Sequence, residues 1–296
     1  FSRGRYVQCR LTDMTIKIVT DSTSDIPREL AGEMGITVVP VYVRFNNRIY
    51  RDGVDIGPDE FLRMLAESPH HPATSQPTPE DFENAYEEIC DGVDGIVSIH
   101  VSSKTSGTCN SAAIARKNLD SPCPIEVIDS GFTSAGLALV TMTAARLAQA
   151  GEDYDTVLRG VHSAIQQTDM LGMFETMKYL ARSGRVSKAI GTVASILNVM
   201  PLLTFREGEI IRAGLVRSAS RGMDRLYRFV EEKENLAEVI IVHSAVPEQA
   251  EKLRKRIGWL FPEDSIRVMN LCAGIGVHGG PGALMVGVRE EEEFAA

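Results

Sequence analysis

Residues 95–108 carry the sequence GIVSIHVSSKTSGT, an apolar, β-branched run followed by hydroxyl side chains and a glycine. Such a run is typical of a buried strand that ends in a polar loop. The residues that follow, 109–118, fit a helix. The same order of strand, polar loop and helix occurs twice more, around residues 16–34 and 125–150. This repetition predicts a parallel sheet with crossover helices.

The polar loops of this predicted sheet share one edge. In open parallel sheets, ligands bind beyond the carboxyl ends of the strands. The segments 21–25, 102–108 and 129–130 each follow a predicted strand. We therefore expect them to converge, and their convergence is the first indication of a binding site.

The pattern changes after Gly151. Helices are predicted over residues 154–168, 174–180 and 187–199, with a hairpin at 205–210 and further helices and strands beyond it. The predicted fold class is α/β with two domains: an N-terminal parallel-sheet α/β domain over residues 14–155, and a C-terminal mixed α+β domain over residues 156–292. Residues 1–13 lack an apolar segment and are interpreted as an extension that precedes the fold.

The amino-acid composition disfavours several classes of function. The 296 residues include 31 Lys and Arg against 40 Asp and Glu, a net charge of −9, which disfavours binding to a nucleic-acid backbone. The five cysteines form no C-x-x-C pair, which indicates neither a disulfide framework nor a zinc site and fits the reducing cytoplasm. The apolar reach at 190–203 is short and interrupted by polar residues, so we expect no membrane span and at most transient membrane contact.

Two hydroxyl-rich loops predict an anion site. Residues 102–108, SSKTSGT, hold five hydroxyl groups at a predicted helix start, where free backbone N–H groups favour a carboxylate or phosphate. N-capping by one serine would explain one hydroxyl but not the run. Residues 74–77, TSQP, form a second cluster on a loop long enough to be functional.

Other motifs have ordinary structural interpretations. The DSTSD segment at 21–25 could supply a nucleophile or a metal ligand, but capping of the next helix is the simpler interpretation. The glycines at 274, 276 and 279 match G-x-G-x-x-G, yet Pro281 follows and the chain ends too soon for a dinucleotide fold. We expect these glycines to allow a close backbone approach or a turn. His278 lies among them and is singled out for that reason.

The motifs taken together resemble the DegV family, which includes the fatty-acid-binding (FakB-type) subunits of bacterial fatty-acid kinase. The matching stretches are IVTDSTSD at 18–25, TSQP at 74–77, SSKTSGT at 102–108, YLARSGRVS at 179–187 and HGGPGAL at 278–284. They follow the family's order from Met14 almost to the end of the chain. Where family members often carry Lys-Pro, this sequence has Met200-Pro201.

The resemblance implies a two-domain protein that buries one long-chain fatty acid, with its carboxylate at the domain junction. By correspondence of motifs, Thr74 and Ser106 are the hydroxyls that hold the carboxylate, and His278 is a further contact. Ser75, Gly107 and Thr108 complete the predicted ligand-binding set. The resemblance places Arg182 and Arg185 in the YLARSGRVS stretch, and we expect them to serve folding or partner contact rather than ligand binding.

The chemistry of the residues agrees with this assignment. A carboxylate needs a few donors at a helix start, which Thr74, Ser106 and the backbone at 107–108 can supply. Burying fourteen methylenes contributes about 11 kcal/mol before association costs, at about 0.8 kcal/mol each. The predicted helix at 190–203 and the face at 174–180 are candidates for the tunnel lining, although core packing explains the same residues.

The expected function is therefore that of a cytoplasmic carrier with no catalytic residues and no cofactor. It would bind a fatty acid, dock on an ATP-dependent fatty-acid kinase subunit, and deliver acyl phosphate to an acceptor enzyme of phospholipid synthesis. The first alternative is a hydrolase or phosphotransferase that uses Asp21 or Ser106 as nucleophile and His278 as base. The second is an interaction module whose lipid is incidental.

Overall fold

The structure is a computed structural model, and it describes residues 15–186 and 199–291. Its strands are β1 Ile16–Asp21, β2 Ile36–Val39, β3 Tyr42–Phe45, β4 Arg48–Arg51, β5 Ala73–Ser75, β6 Gly95–His100, β7 Ile125–Asp129, β8 Thr168–Met173, β9 Met200–Arg206, β10 Glu209–Val216, β11 Leu236–His243, β12 Arg267–Asn270 and β13 Leu284–Glu290. Its helices are α1 Arg28–Glu33, α2 Pro58–Glu67, α3 Pro79–Ile89, α4 Thr108–Asn118, α5 Ser134–Gln149, α6 Tyr154–Gln167, α7 Met177–Ser183, α8 Ala219–Glu231, α9 Pro247–Ile257 and α10 Ala273–Gly279.

The N-terminal sheet confirms the predicted parallel topology. Its strand order is β2-β1-β6-β7, and every neighbouring pair is parallel. β6 is buried along its whole length, as its continuous apolar run predicts. Because the strands are parallel, the loops that follow β1, β6 and β7 lie at the same edge of the sheet.

A small antiparallel sheet, ordered β4-β3-β5, brings the TSQP segment to that edge. The apolar run at 36–45 bends at Pro40, as its sequence suggests, and its halves join different sheets as β2 and β3. Thr78 caps α3 in a capping box with Asp81, which fixes the chain direction just after this sheet.

The C-terminal sheet is mixed and has the order β10-β9-β8-β13-β11-β12. β11 and β12 are parallel, and the other neighbouring pairs are antiparallel. Helix α5 contacts strands of both large sheets, and one hydrophobic core holds residues from each of them. The domain boundary predicted at residue 155 stays a prediction.

Three local predictions were wrong. Residues 168–173 form β8, a strand that the sequence analysis missed because TDMLGM shows no alternation, and α7 begins only at Met177. The predicted helix at 190–203 ends differently, since residues 200–203 belong to β9; residues 187–198 of the predicted helices lie outside the described residues. The glycine segment at 273–279 is a helix, α10, and not a simple turn.

Within the part of the chain that the structure describes, no helix combines the length and apolar character needed to cross a bilayer.

Candidate functional site

A cavity of about 530 Å³ lies where the two large sheets and the small sheet meet. Its volume is within the range of small-molecule sites. Apolar side chains from β8, β9, β10, β13, α7 and α10 form much of its wall, and they are joined by Val41, Val101 and Val186. The apolar residues from those six elements are Met170, Leu180, Leu203, Phe205, Ile210, Ile275 and Met285. Leu180 and Leu203, from the two segments proposed as tunnel lining, both contribute.

Thr74 and His278 meet at the polar end of this cavity. Thr74 lies on β5, and its Oγ1 is 3.0 Å from Nε2 of His278 on α10, although the two residues are 204 positions apart in sequence. Ser75 is exposed and borders the cavity beside them. Since neighbouring side chains in a strand point to opposite faces, Ser75 cannot follow Thr74 toward His278.

The second predicted cluster surrounds the start of α4. Ser106 and Gly107 line the cavity, whereas Thr108 is fully buried behind them. Ser106 Oγ accepts from the Thr108 amide at 3.3 Å and is 2.9 Å from Thr108 Oγ1. Thr108 is the first residue of α4, so the unpaired N–H groups of its first turn start here. The structure thus brings five of the six predicted residues to the cavity wall and places Thr108 behind it.

Gln76 joins the two loops and was missed by the sequence analysis. Its Nε2 donates to Ser111 Oγ on α4 at 3.4 Å, and its amide lies against Gly107. A Cβ at Gly107 would stand 2.5 Å from that amide nitrogen. A side chain at position 107 would therefore displace the end of the Gln76 side chain from its place against α4.

His278 is electrostatically neutral in this setting. The residue is partly buried and lines the cavity. Burial, with a smaller contribution from the charge of Arg185, lowers the pKa of His278 to about 4. Its Nδ1 is buried and has no hydrogen-bond partner among the described residues. In the ligand-free protein the imidazole of His278 is therefore neutral at pH 7.

The helix that carries His278 is anchored by two buried carboxylates. Asp52 accepts hydrogen bonds from the amides of Ala273 and Gly274 at 3.0 and 3.1 Å, and Asp25 accepts from the amide of Cys272 at 2.7 Å. Burial raises the pKa of Asp52 and raises that of Asp25 to about 7. Both aspartates belong to the N-terminal part of the chain, so they fix α10 against it.

Asp21, the alternative nucleophile, is held in a buried hydrogen-bond network. It is fully buried, and its two oxygens accept from Thr23 and from the Val101 amide. Its Oδ2 also lies 3.1 Å from Nδ1 of His100, whose Nε2 is 2.7 Å from Ser98 Oγ. Asp21 does not line the cavity. This network ties β1 to β6 rather than presenting a reactive group.

Ser106 is also unlike an activated nucleophile. An activated serine needs a base within hydrogen-bonding reach. In this structure His278 Nε2 contacts Thr74, and His278 Nδ1 has no partner among the described residues. The histidine thus makes no hydrogen bond to Ser106.

Two cations stand at the cavity wall. Lys104, in the loop after β6, and Arg185, after α7, both line it. Arg182, grouped with Arg185 in the sequence analysis, is exposed and does not line it.

Among residues 15–186 and 199–291, no group of three or more His, Cys, Asp or Glu side chains is placed to hold a metal ion.

Sequence reasoning missed Asp25, Asp52 and Gln76 as parts of the site. Asp25 was considered only as a helix cap or reactive carboxylate, whereas its amide partner is 247 residues away. The partners of Asp52 are 221 and 222 residues away. No local pattern marks such contacts. Gln76 belongs to the TSQP motif, and its position directly after Thr74 and Ser75 was the one sequence feature that could have indicated a role in the site.

Comparison with known proteins identifies relatives along nearly the whole described chain. The sequence profile of the family described as "Uncharacterised protein, DegV family" matches residues 15–291. A DegV domain-containing protein of Caldanaerobacter subterraneus subsp. tengcongensis is 34% identical over 282 residues, which are 94% of this chain and 99% of that protein.

Solved structures of DegV proteins also match over 94% of this chain. A structure described as fatty acid binding of a DegV family protein from Thermus thermophilus has a TM-score of 0.85 and 31% identity, and the match covers 94% of this chain and 100% of that one. DegV of Bacillus subtilis, described as a fatty acid binding protein, has a TM-score of 0.84 and 27% identity, with the same coverage.

Proposed function

This chain belongs to the DegV family, and we propose that it binds one long-chain fatty acid in the 530 Å³ cavity and presents it to a separate ATP-dependent kinase. The observation that carries the proposal is the Thr74–His278 pair at the polar end of a largely apolar cavity. Relatives described as fatty acid binding proteins support the ligand class.

The carboxylate is held by neutral donors. Thr74 has one hydroxyl proton, and it is free for a ligand when Nε2–H of His278 donates to Thr74 Oγ1. Ser106 supplies a second hydroxyl, and the start of α4 adds a partial positive charge. Because the pKa of His278 is lowered to about 4, the fatty acid meets a neutral imidazole as it enters the site at pH 7. The carboxylate oxygen keeps its charge and remains a nucleophile.

The apolar walls supply most of the affinity. Each methylene transferred from water contributes about 0.8 kcal/mol, so fourteen contribute about 11 kcal/mol before the costs of association. The side chains of Leu180, Leu203 and Met285 are suited to such a chain because they offer no polar atoms. A carrier of this kind keeps an insoluble substrate shielded while its head group stays near the surface.

Phosphorylation is assigned to a partner. Asp21 is buried and fully bonded, and Ser106 lacks a contacting base, so neither residue supports a nucleophilic role for this chain. The product would be an acyl phosphate, passed to an acceptor enzyme that transfers the acyl group to a phospholipid precursor. The four described free cysteines, Cys90, Cys109, Cys123 and Cys272, fit the proposed cytoplasmic location.

The test is a reconstituted transfer reaction. Protein loaded with hexadecanoic acid is incubated with ATP, with and without an ATP-dependent fatty-acid kinase subunit, and acyl phosphate is trapped with hydroxylamine. We expect hydroxamate only when the kinase is present. Hydroxamate formed without the kinase, or phosphorylation of free fatty acid at the same rate as of loaded protein, would contradict the proposal.

A further inference from the structure

A second cavity, of about 610 Å³, adjoins the start of α10, and we call it the acidic cavity. Asp25 and Asp52, the two buried carboxylates that hold α10, both line it. It reaches solvent at Arg28 and Glu29 on α1, which are exposed. Its apolar lining comes from α1, β2 and the segments beside them: Ile26, Pro27, Ala31, Ile36, Val38, Pro40, Val54 and Pro58.

A thin wall separates the acidic cavity from the lipid cavity. No residue lines both, but the segments 22–23, 40–41 and 272–274 each contribute one residue to either side. Gly274 faces the lipid cavity, and its amide donates to Asp52 Oδ2 at 3.1 Å. A Cβ at Gly274 would stand only 3.0 Å from that same oxygen. The charge of a lipid head group and the charge of this carboxylate are therefore separated by little more than the backbone of α10.

Asp25 and Asp52 share this wall without a cation. They accept from the consecutive amides at 272–274, so their carboxyl groups are neighbours, and neither forms an ion pair with a described residue. Two carboxylates that share a buried site do not both ionise readily. Burial raises the pKa of both, to about 7 for Asp25, and the charge of Asp52 adds to the rise. The pair therefore holds a proton below about pH 7.

Asp25 is also tied to the far side of the wall through Ser134. Ser134 Oγ donates to Asp25 Oδ2, and the preceding residue, Thr133, lines the lipid cavity. Both bonded residues have left-handed backbones, with φ of 58° at Asp25 and 53° at Ser134. Non-glycine residues in this conformation are uncommon and cluster at ligand sites and switches. The conformation places the Asp25 carboxyl directly behind the residues that a lipid would contact.

We propose that the Asp25–Asp52 pair takes up a proton when a fatty acid binds, so that lipid retention weakens as the pH rises. The inference rests on the proposed function, because the charge that drives proton uptake is that of the bound carboxylate. The proton passes from solvent, through the acidic cavity, to a carboxyl oxygen of the pair. It returns to solvent when the lipid leaves, and no bond of the lipid is made or broken.

The sign of the effect follows from the like charges. A bound carboxylate adds a third negative charge beside the wall, which favours the protonated pair and raises its pKa. The protonated pair therefore binds lipid more tightly, and this advantage is lost above pH 7, where the ligand-free pair loses its proton. If binding raises the pKa by about one unit, affinity falls about eightfold between pH 6 and pH 9.

Other titratable groups face the pair and remain the same in the comparison below. Burial raises the pKa of the Cys272 thiol, which lies beside both carboxyls, so it stays neutral. The pKa of His278, on the lipid side of the wall, is lowered to about 4 in the ligand-free protein. The remaining charged groups lie at the rim of the acidic cavity, next to Asp52 in the chain, or at the wall of the lipid cavity: Arg28, Glu29, Arg51, Asp55, Lys104 and Arg185.

The test compares delipidated wild type with Asp25→Asn, which keeps the shape of the side chain and cannot ionise. Dissociation constants for hexadecanoic acid are measured at pH 6 and pH 9. The ratio between the two proteins at each pH cancels the ionisation of the ligand and of His278. We expect wild type to weaken about eightfold relative to Asp25→Asn across this range. Calorimetry at pH 7.5 in buffers of different ionisation enthalpy should show about half a proton more taken up per lipid by wild type.

Two further variants make the test specific. Asp264→Asn makes the same substitution at an exposed position that lines neither cavity, and it should keep the pH dependence of wild type. Ser134→Gly accommodates the left-handed backbone and removes a hydrogen bond that favours the ionised form of Asp25. Its loss of affinity should therefore occur at higher pH than in wild type, a shift that does not depend on the folding of Asp25→Asn.

The outcomes separate this inference from the proposed function. Equal pH dependence and equal proton uptake in wild type and Asp25→Asn would assign the effect to His278 or to the ligand and overturn the inference, while the binding itself would support the proposed function. A midpoint unchanged in folded Ser134→Gly would also overturn it. If wild type does not bind hexadecanoic acid at either pH, the proposed function fails and the inference fails with it.

Discussion

Removal of the Thr74 hydroxyl should abolish much of the preference for a free carboxylate. Thr74→Val keeps the β-branched shape on β5 and deletes the one group among the described residues within hydrogen-bonding distance of His278 Nε2, at 3.0 Å. A hydrogen bond to a charged group contributes about 1.5–3 kcal/mol. The variant should therefore bind hexadecanoic acid about 10- to 150-fold more weakly than wild type.

The methyl ester of the same acid isolates the head-group contribution. The ester buries the same alkyl chain but carries no charge, so its affinity should differ between wild type and Thr74→Val by about twofold at most. Displacement of a fluorescent fatty acid from delipidated protein gives all four dissociation constants. Thr37→Val, the same substitution on β2 away from the cavity, is the matched control and should behave as wild type. Acid-to-ester selectivity that is unchanged in a folded Thr74→Val variant would refute the carboxylate assignment.

Three further predictions concern how the site is built. With its pKa raised from 3.8 to about 7, Asp25 should make wild type lose about 3 kcal/mol of stability relative to Asp25→Asn as the pH rises from 4 to 7, because the unfolded state releases its proton first; denaturation midpoints that change with pH in parallel for the two proteins would contradict this. Asp52→Ala leaves two amides at the start of α10 without a hydrogen-bond acceptor, so it should lower the free energy of unfolding in urea by about 2–4 kcal/mol and weaken lipid retention. Lipid retention equal to that of wild type would show that other contacts hold α10 in place. Gly107→Ala would place a Cβ 2.5 Å from the Gln76 amide nitrogen, displace that amide from Ser111 and lower the free energy of unfolding by about 1 kcal/mol, whereas Gly32→Ala, which has open space, should not lower it.

The sequence predicted the parts of the fold whose signals are local. The apolar run of β6 and the polar loop and helix that follow it are determined within a few residues. The convergence of the loops after β1, β6 and β7 followed from parallel topology alone. The pairing of Thr74 with the α4 loop and His278 required the family resemblance, since nothing local joins positions 204 residues apart.

The elements whose conformation was predicted wrongly depend on tertiary contacts. α10 contains three glycines in seven residues, a composition that disfavours helix. It is helical because Asp52 satisfies its first amides and because its backbone packs closely on neighbours: a Cβ at Gly274 would lie 2.6 Å from Val41, and one at Gly276 would lie 2.6 Å from Phe61. The expectation of a close backbone approach was sound, but the conformation that achieves it could not be predicted from the glycines.

The central claim is that the cavity holds one fatty acid by its carboxylate. Native mass spectrometry of the protein purified from bacteria, followed by denaturing extraction of the lipid, tests it most directly. We predict one long-chain fatty acid per chain, lost in the double variant Thr74→Val, Ser106→Ala. A lipid-free protein that also fails to take up added hexadecanoic acid would contradict the claim.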